Sequence, residues 1–236
     1  MSVAAPPRRI PGTTRVEAFS DGVIAIIITL LIFEVHLPDL PANASNDAML
    51  DDPQPLVLAG RVLAALWAIA PKLASFAVSF MTVAIFWLNH HSFFAGVTHT
   101  DWVLLWANNL LLFFLAIVPF TTAVLGDHLG QPIAVAVYAL NLGLAGAAFT
   151  MMGWYVLFRA RLVDPRISDV ARRIEVKRSV IGSGLYLLCV PLGLLAPVAA
   201  EVLFVAVPTA FIVPGLFGRI GNEIRGFGEP RSGTDG

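Results

Sequence analysis

Along the chain, apolar residues gather into long runs separated by short clusters of proline, glycine and charge. A helix that crosses a bilayer needs roughly 20 apolar residues at a rise of 1.5 Å each. The pattern predicts helices at about 16–37, 56–94, 102–125, 133–158, 179–197 and 199–218. The second run is too long for one straight span. Pro71 in its middle lacks a backbone donor and crowds the carbonyl four residues back, which predicts a kink there. In the fourth run, Ala139, Gly143 and Ala147 recur at four-residue spacing, a seam of small side chains that lets a second helix approach closely. The expectation is an all-α, polytopic membrane protein with six transmembrane helices per subunit.

The first run carries more information than the others. At 100° per residue Phe19, Gly22, Ile26, Thr29, Leu30 and Phe33 share one stripe roughly 100° wide, while Asp21, Ala25, Ile28 and Ile32 lie on another face. An ionised carboxylate at the edge of hydrocarbon costs on the order of 3 kcal/mol, so Asp21 needs a partner or a water-filled passage. The pattern predicts a helix with two different neighbours rather than a bare anchor.

Composition agrees, with 57% hydrophobic residues and only 13% charged among 236, about half the charged share of a soluble domain. The distribution of Lys and Arg sets the expected orientation. Three stand by residue 15, none in the proline- and aspartate-rich stretch 38–55, seven of the fifteen in 159–178, and Arg219, Arg225 and Arg231 in the tail. Both termini and the 159–178 loop are therefore expected in the cytoplasm, with a disordered basic tail at 1–14, a channel-sized helical domain at 15–220 and a flexible tail at 221–236. The link between the second and third helices has neither Lys nor Arg, so charge leaves its side open. A single cysteine, Cys189, excludes an intrachain disulfide framework.

Three polar groups stand out. Arg15, Ser20 and Asp21 form a cluster at the start of helix 1; it reads either as the inner mouth of a transport path or as a helix-start network that suits the positive end of the dipole. Asn89, His90 and His91 end helix 2. Adjacent histidines point about 100° apart, which is poor spacing for chelating one metal. Asn89 and His90 are expected to hydrogen-bond the helix 1 cluster at the same membrane depth. Asn108 and Asn109, with Trp102 and Trp106 nearby, need amide partners on helix 1 or 2. Motifs for nucleotide, zinc-protease or serine-hydrolase chemistry are missing, as is the potassium-filter string TVGYG.

The string at 15–21, RVEAFSD, resembles the RxxxFSD motif of helix 1 in the transmembrane-protein-175 family of potassium channels. Arg15, Phe19, Ser20 and Asp21 match it residue by residue. The likeness continues through FWLNHHSFF at 86–94 and LLWANNLLLFFLAIVPFTTAVLG at 104–126. It implies a homotetramer of six-helix subunits in which four copies of helix 1 line a central pore. It further implies a hydrophobic constriction at Ile26, a hydroxyl ring at Thr29 past which potassium runs, and Phe33 one turn further out, with Leu30 on the same stripe. The motif residues would pack against Asn89, His90 and Trp106 or Asn109.

The functional expectation is a potassium-permeable, weakly selective cation channel of the bacterial plasma membrane. It needs no cofactor, no fixed metal and no nucleic acid, and its partners are monovalent cations, lipid and its own copies. The rivals are a proton pathway or proton-coupled carrier using Asp21 and His90, a membrane enzyme with a metal on Asn89, His90 and His91, and a non-conducting assembly protein.

Overall fold

The structure, a computed structural model, describes residues 10–35 and 55–212. The expected tails fall outside these residues except for 10–14, as does the acidic 38–55 loop up to Pro55 and the expected last turns of helix 6. The described chain forms α1 (Thr13–Leu30, tightened into a 3-10 turn at Leu31–Glu34), α2 (Pro55–Ala68), α3 (Ala70–Phe94), α4 (Trp102–Ala116) and α5 (Val118–Asp127). These are followed by α6 (Pro132–Trp154, ending in a π turn at Tyr155–Arg159), α7 (Asp169–Leu195) and α8 (Pro197–Ile212). Among the described residues, five helical stretches are long and apolar enough to cross a membrane: Thr13–Glu34, Ala70–Phe94, Trp102–Asp127, Pro132–Arg159 and Asp169–Leu195, with Pro197–Thr209 a shorter apolar helix. The fold is all-α and polytopic.

Prolines account for the breaks. Pro71 has no N–H to give to Trp67, and the chain breaks at Ile69, the boundary between α2 and α3. Pro119 cannot bond to Leu115, and the third span divides at Ile117 into α4 and α5, a break the sequence reading had drawn as one helix. A second correction concerns the basic stretch 159–178, read as loop to its end. Its last ten residues are the first turns of α7, started by Ser168, whose hydroxyl accepts from the Ala171 N–H at 3.2 Å, and by Asp169 in the first turn. Basic residues there are compatible with a helix that extends past the hydrocarbon before it enters. α1 likewise begins at Thr13, earlier than expected.

α6 is the hub, packed by α4, α5, α7 and α8. Its small residues make this possible. A Cβ added at Gly143 would stand 2.6 Å from Leu187 Cδ2, and one at Gly146 would stand 2.7 Å from Ser183 Cβ and 3.0 Å from its Cα. On α7, a Cβ at Gly193 would meet Val135 Cγ1 at 2.7 Å. The seam therefore runs Ala139, Gly143, Gly146; Ala147 is only half-buried. In lipid such contacts stabilise through dispersion and close backbone approach rather than water exclusion.

Loop pairing decides the topology that charge left open. Thr98 N–H donates to Leu162 O at 2.8 Å and Asp164 N–H to Gly96 O at 3.1 Å, and Thr100 donates its hydroxyl proton to Pro11 O. The start of α1, the α3–α4 link and the α6–α7 link thus share one side. Two hydrogen bonds from the Arg166 guanidinium to Asp164 Oδ2, at 2.6 and 3.0 Å, help hold that carboxyl down at about 2 in this link. The opposite end is tied by Lys72 to Asp127 at 2.6 Å and by the Gly130 N–H, which donates to Glu201 at 2.7 Å.

Candidate pore helix and its polar anchor

α1 packs on α3 and α4 through one narrow face. Val16, Ser20, Ile24, Ile27 and Leu31 are buried, a stripe roughly 80° wide with Ser20 at its centre. This corrects the expected second face: Asp21 and Ile28 only flank the buried stripe, and Ala25 and Ile32 are exposed. The physical reason is that Ser20, small and able to satisfy its own hydroxyl on Val16 O at 2.9 Å, tolerates full burial where a carboxylate does not.

The buried polar atoms form a chain with one consistent direction. His90 Nε2–H donates to Asn108 Oδ1 at 2.9 Å, Asn108 Nδ2–H donates to Ser20 Oγ at 2.9 Å, and Ser20 donates to Val16 O. His90, Asn108 and Ser20 are all buried, and the His90 ring stacks on Phe94 with centroids 4.5 Å apart. Three helices are thereby held at one height by hydrogen bonds each worth about 0.6 kcal/mol, up to ~2. Beside this chain, Trp87 Nε1–H donates to Asp21 Oδ1 at 2.9 Å, and His91 Nδ1 meets Glu17 Oε1 at 2.9 Å.

Three expected partners sit elsewhere. Asn108, not Asn109, takes the anchor position, and Asn109 is exposed together with Trp106, which is 71% exposed. Asn89 faces a crevice shared with Thr82, Phe86, Ser179 and Gly182 rather than α1. Helical geometry explains the fan, because consecutive side chains of Asn89, His90 and His91 leave α3 about 100° apart and reach α7, α4 and α1 in turn. Trp87 and Glu17 were missed. The signal for α4 was present in the stripe Trp102, Trp106, Phe113, whose bulky, outward aromatics include Asn109 on their face. Arg15 is exposed beside the anchor without joining the chain.

The other face of α1 is open. Phe19 is 58% exposed, Ile26 59%, Leu30 45% and Phe33 68%, and Gly22 and Thr29 lie between them, also exposed. A Cβ at Gly22 would touch nothing within 4 Å. Thr29 donates its hydroxyl proton to Ile26 O at 2.8 Å, so its oxygen lone pairs point away from the helix backbone. α1 is thus fixed by polar hydrogen bonds on one side and exposed on the other.

Fold and anchor together define a multi-pass helical membrane protein whose first span is held to α3 and α4 by a chain of buried polar groups. A family model described as the endosomal/lysosomal potassium channel TMEM175 matches residues 15–119. A potassium channel of Streptomyces collinus is 35% identical over 206 residues, covering 86% of this chain and 87% of that protein. The human endosomal/lysosomal proton channel TMEM175 is 36% identical over 107 residues, 44% of this chain and 19% of that one. Among solved structures, a lysosomal potassium-selective channel TMEM175 homolog from Chamaesiphon minutus superposes with a TM-score of 0.66 at 28% identity, covering 85% of this chain and 98% of that chain. The chain belongs to the TMEM175 family, a family of channels and not of enzymes.

Proposed function

We propose that the protein is a potassium-permeable, weakly selective cation channel in which four copies place the open face of α1 around a central pore. The observation that carries this reading is the uncovered stripe Phe19, Gly22, Ile26, Thr29, Leu30, Phe33 on a helix anchored by its opposite side. Gly22 and Thr29 are the kind of small residues that let membrane helices approach one another closely, which suits a narrow axis. Four Ile26 side chains at the constriction exclude water from a passage too narrow for a hydrated ion, and a small widening readmits it. The Thr29 oxygens, already turned from the backbone, offer a ring of lone pairs to a dehydrating ion, with Leu30 and Phe33 further along. Without a carbonyl cage, discrimination follows the lower dehydration cost of potassium. In this reading Ser20 holds the helix through Asn108 and His90 and Asp21 holds it through Trp87, while Phe19 stays on the open face, Arg15 stays exposed, and Trp106 and Asn109 turn to a neighbouring copy or lipid. The positive-inside distribution supports both termini in the cytoplasm of a plasma membrane.

A second reading, proton conduction, is favoured by the grouping of Glu17, Asp21, His90 and His91 at one end of α1 and by the proton-channel name of the human relative. Potassium flux into liposomes distinguishes the two. Ile26→Ala and Ile26→Asn are expected to raise potassium flux or change its selectivity. Absence of flux from folded wild type and both variants removes the channel reading, and proton flux that persists without permeant metal cations selects the second.

A further inference from the structure

Two pairs of side chains one helical turn apart face each other at the end of α1: Glu17 and Asp21 on α1, Trp87 and His91 on α3. One donor atom each from Glu17, Asp21 and His91 lies within 4.8 Å of the others. Each of these three groups serves a ligand set differently. Glu17 Oε1 already meets the imidazole at 2.9 Å. The Trp87 indole holds Asp21 Oδ1 at 2.9 Å and leaves Oδ2 uncommitted by that bond. The same indole stacks on the His91 ring, with centroids 6.0 Å apart and planes 24° from parallel, which fixes the direction of the imidazole nitrogens.

We propose that Glu17, Asp21 and His91 form a transition-metal site, with Zn²⁺ as its simplest occupant, that clasps α1 to α3. The chemistry of the donors selects the class: an imidazole with two carboxylates suits zinc, while magnesium and calcium prefer all-oxygen shells. Zinc bonds of about 2.0–2.2 Å place tetrahedral ligands about 3.3 Å apart. The donor atoms, within 4.8 Å of one another, draw together to that value by rotation about the carboxylate torsions. Three protein ligands leave the fourth position to water. The His91 side chain is 55% exposed, so an ion reaches the site directly from solution. A hydrogen bond from Trp87 to one ligand and a ring stack on another are the supporting contacts that a metal site uses to orient its ligands. His90, the neighbour in sequence, takes no part because its ring is turned to Asn108.

The site does not depend on conduction, and its test does not pass through it. Zinc alone, titrated calorimetrically into the purified full-length protein, is expected to bind at one ion per chain. His91→Ala and Glu17→Gln should weaken this binding by about tenfold or more, and His99→Ala, a surface histidine on the same side, should leave it within about twofold. Asp21→Asn keeps an oxygen to accept from Trp87 and leaves the Glu17–His91 pair intact while removing a metal donor, so it tests the site even if the other two variants fail to fold. Zinc should raise the melting temperature of the wild type and not of Asp21→Asn. Binding absent from folded wild type, or as tight in the three ligand variants as in wild type, overturns the site.

Discussion

α1 and α6 are both long apolar spans, and they have opposite fates. In α6, 67% of the most apolar window is buried inside the chain, and in α1 only 28%. Hydropathy explains why each enters a membrane and says nothing about this difference. α6 is enclosed by four helices, and its glycines let α7 come close, so dispersion contacts surround it. α1 has no such seam on its buried face and is held by Ser20, through Asn108 and His90, at a single height. Close packing makes a hub; a polar anchor positions a helix while leaving the rest of its surface available.

That contrast can be broken first at the hub. Gly146→Val drives a side chain into Ser183, where even the Cβ falls 3.0 Å from backbone, and should cost about 3 kcal/mol. A thermal melt in detergent checks it, and an unchanged midpoint would show that α7 shifts freely.

Next comes the anchor. Asn108→Leu strands the His90 N–H and the Ser20 oxygen in the interior and should cost about 2 kcal/mol, whereas Asn109→Leu on the exposed face should stay within about 0.5 kcal/mol. Equal effects from the two neighbours would contradict the assignment of Asn108 to the anchor. The smallest expected change is Trp87→Phe, which takes one donor from Asp21 at the edge of the packed face and should cost under about 1 kcal/mol. A double mutant with Asp21→Ala should then be less than additive, since each single change removes the same Trp87–Asp21 contact.

Much of this was legible in the chain. Run lengths and prolines placed the spans, the stripe from Phe19 to Phe33 was readable from helical periodicity, and three motif segments in order pointed to the TMEM175 family before any coordinate was considered. Partners were less legible. Asn108 and Asn109 are chemically identical and adjacent, and choosing between them needed the outward aromatic stripe of α4 to be seen as outward. His91 reads from sequence as half of a poorly spaced histidine pair, and only the placement of the two helices side by side brings it to Glu17.

The sequence alone determined that this protein lives in a membrane, that its second apolar run breaks near Pro71, and that α1 has one apolar stripe, because each follows from local periodicity and from the cost of polar groups in hydrocarbon. The tertiary structure alone decided which face of α1 is covered, that the α3–α4 and α6–α7 links share a side, and that Glu17, Asp21 and His91 converge. Those outcomes rest on the rotation and depth of one helix against another, which hydrogen bonds and packing between distant residues select and no local pattern encodes.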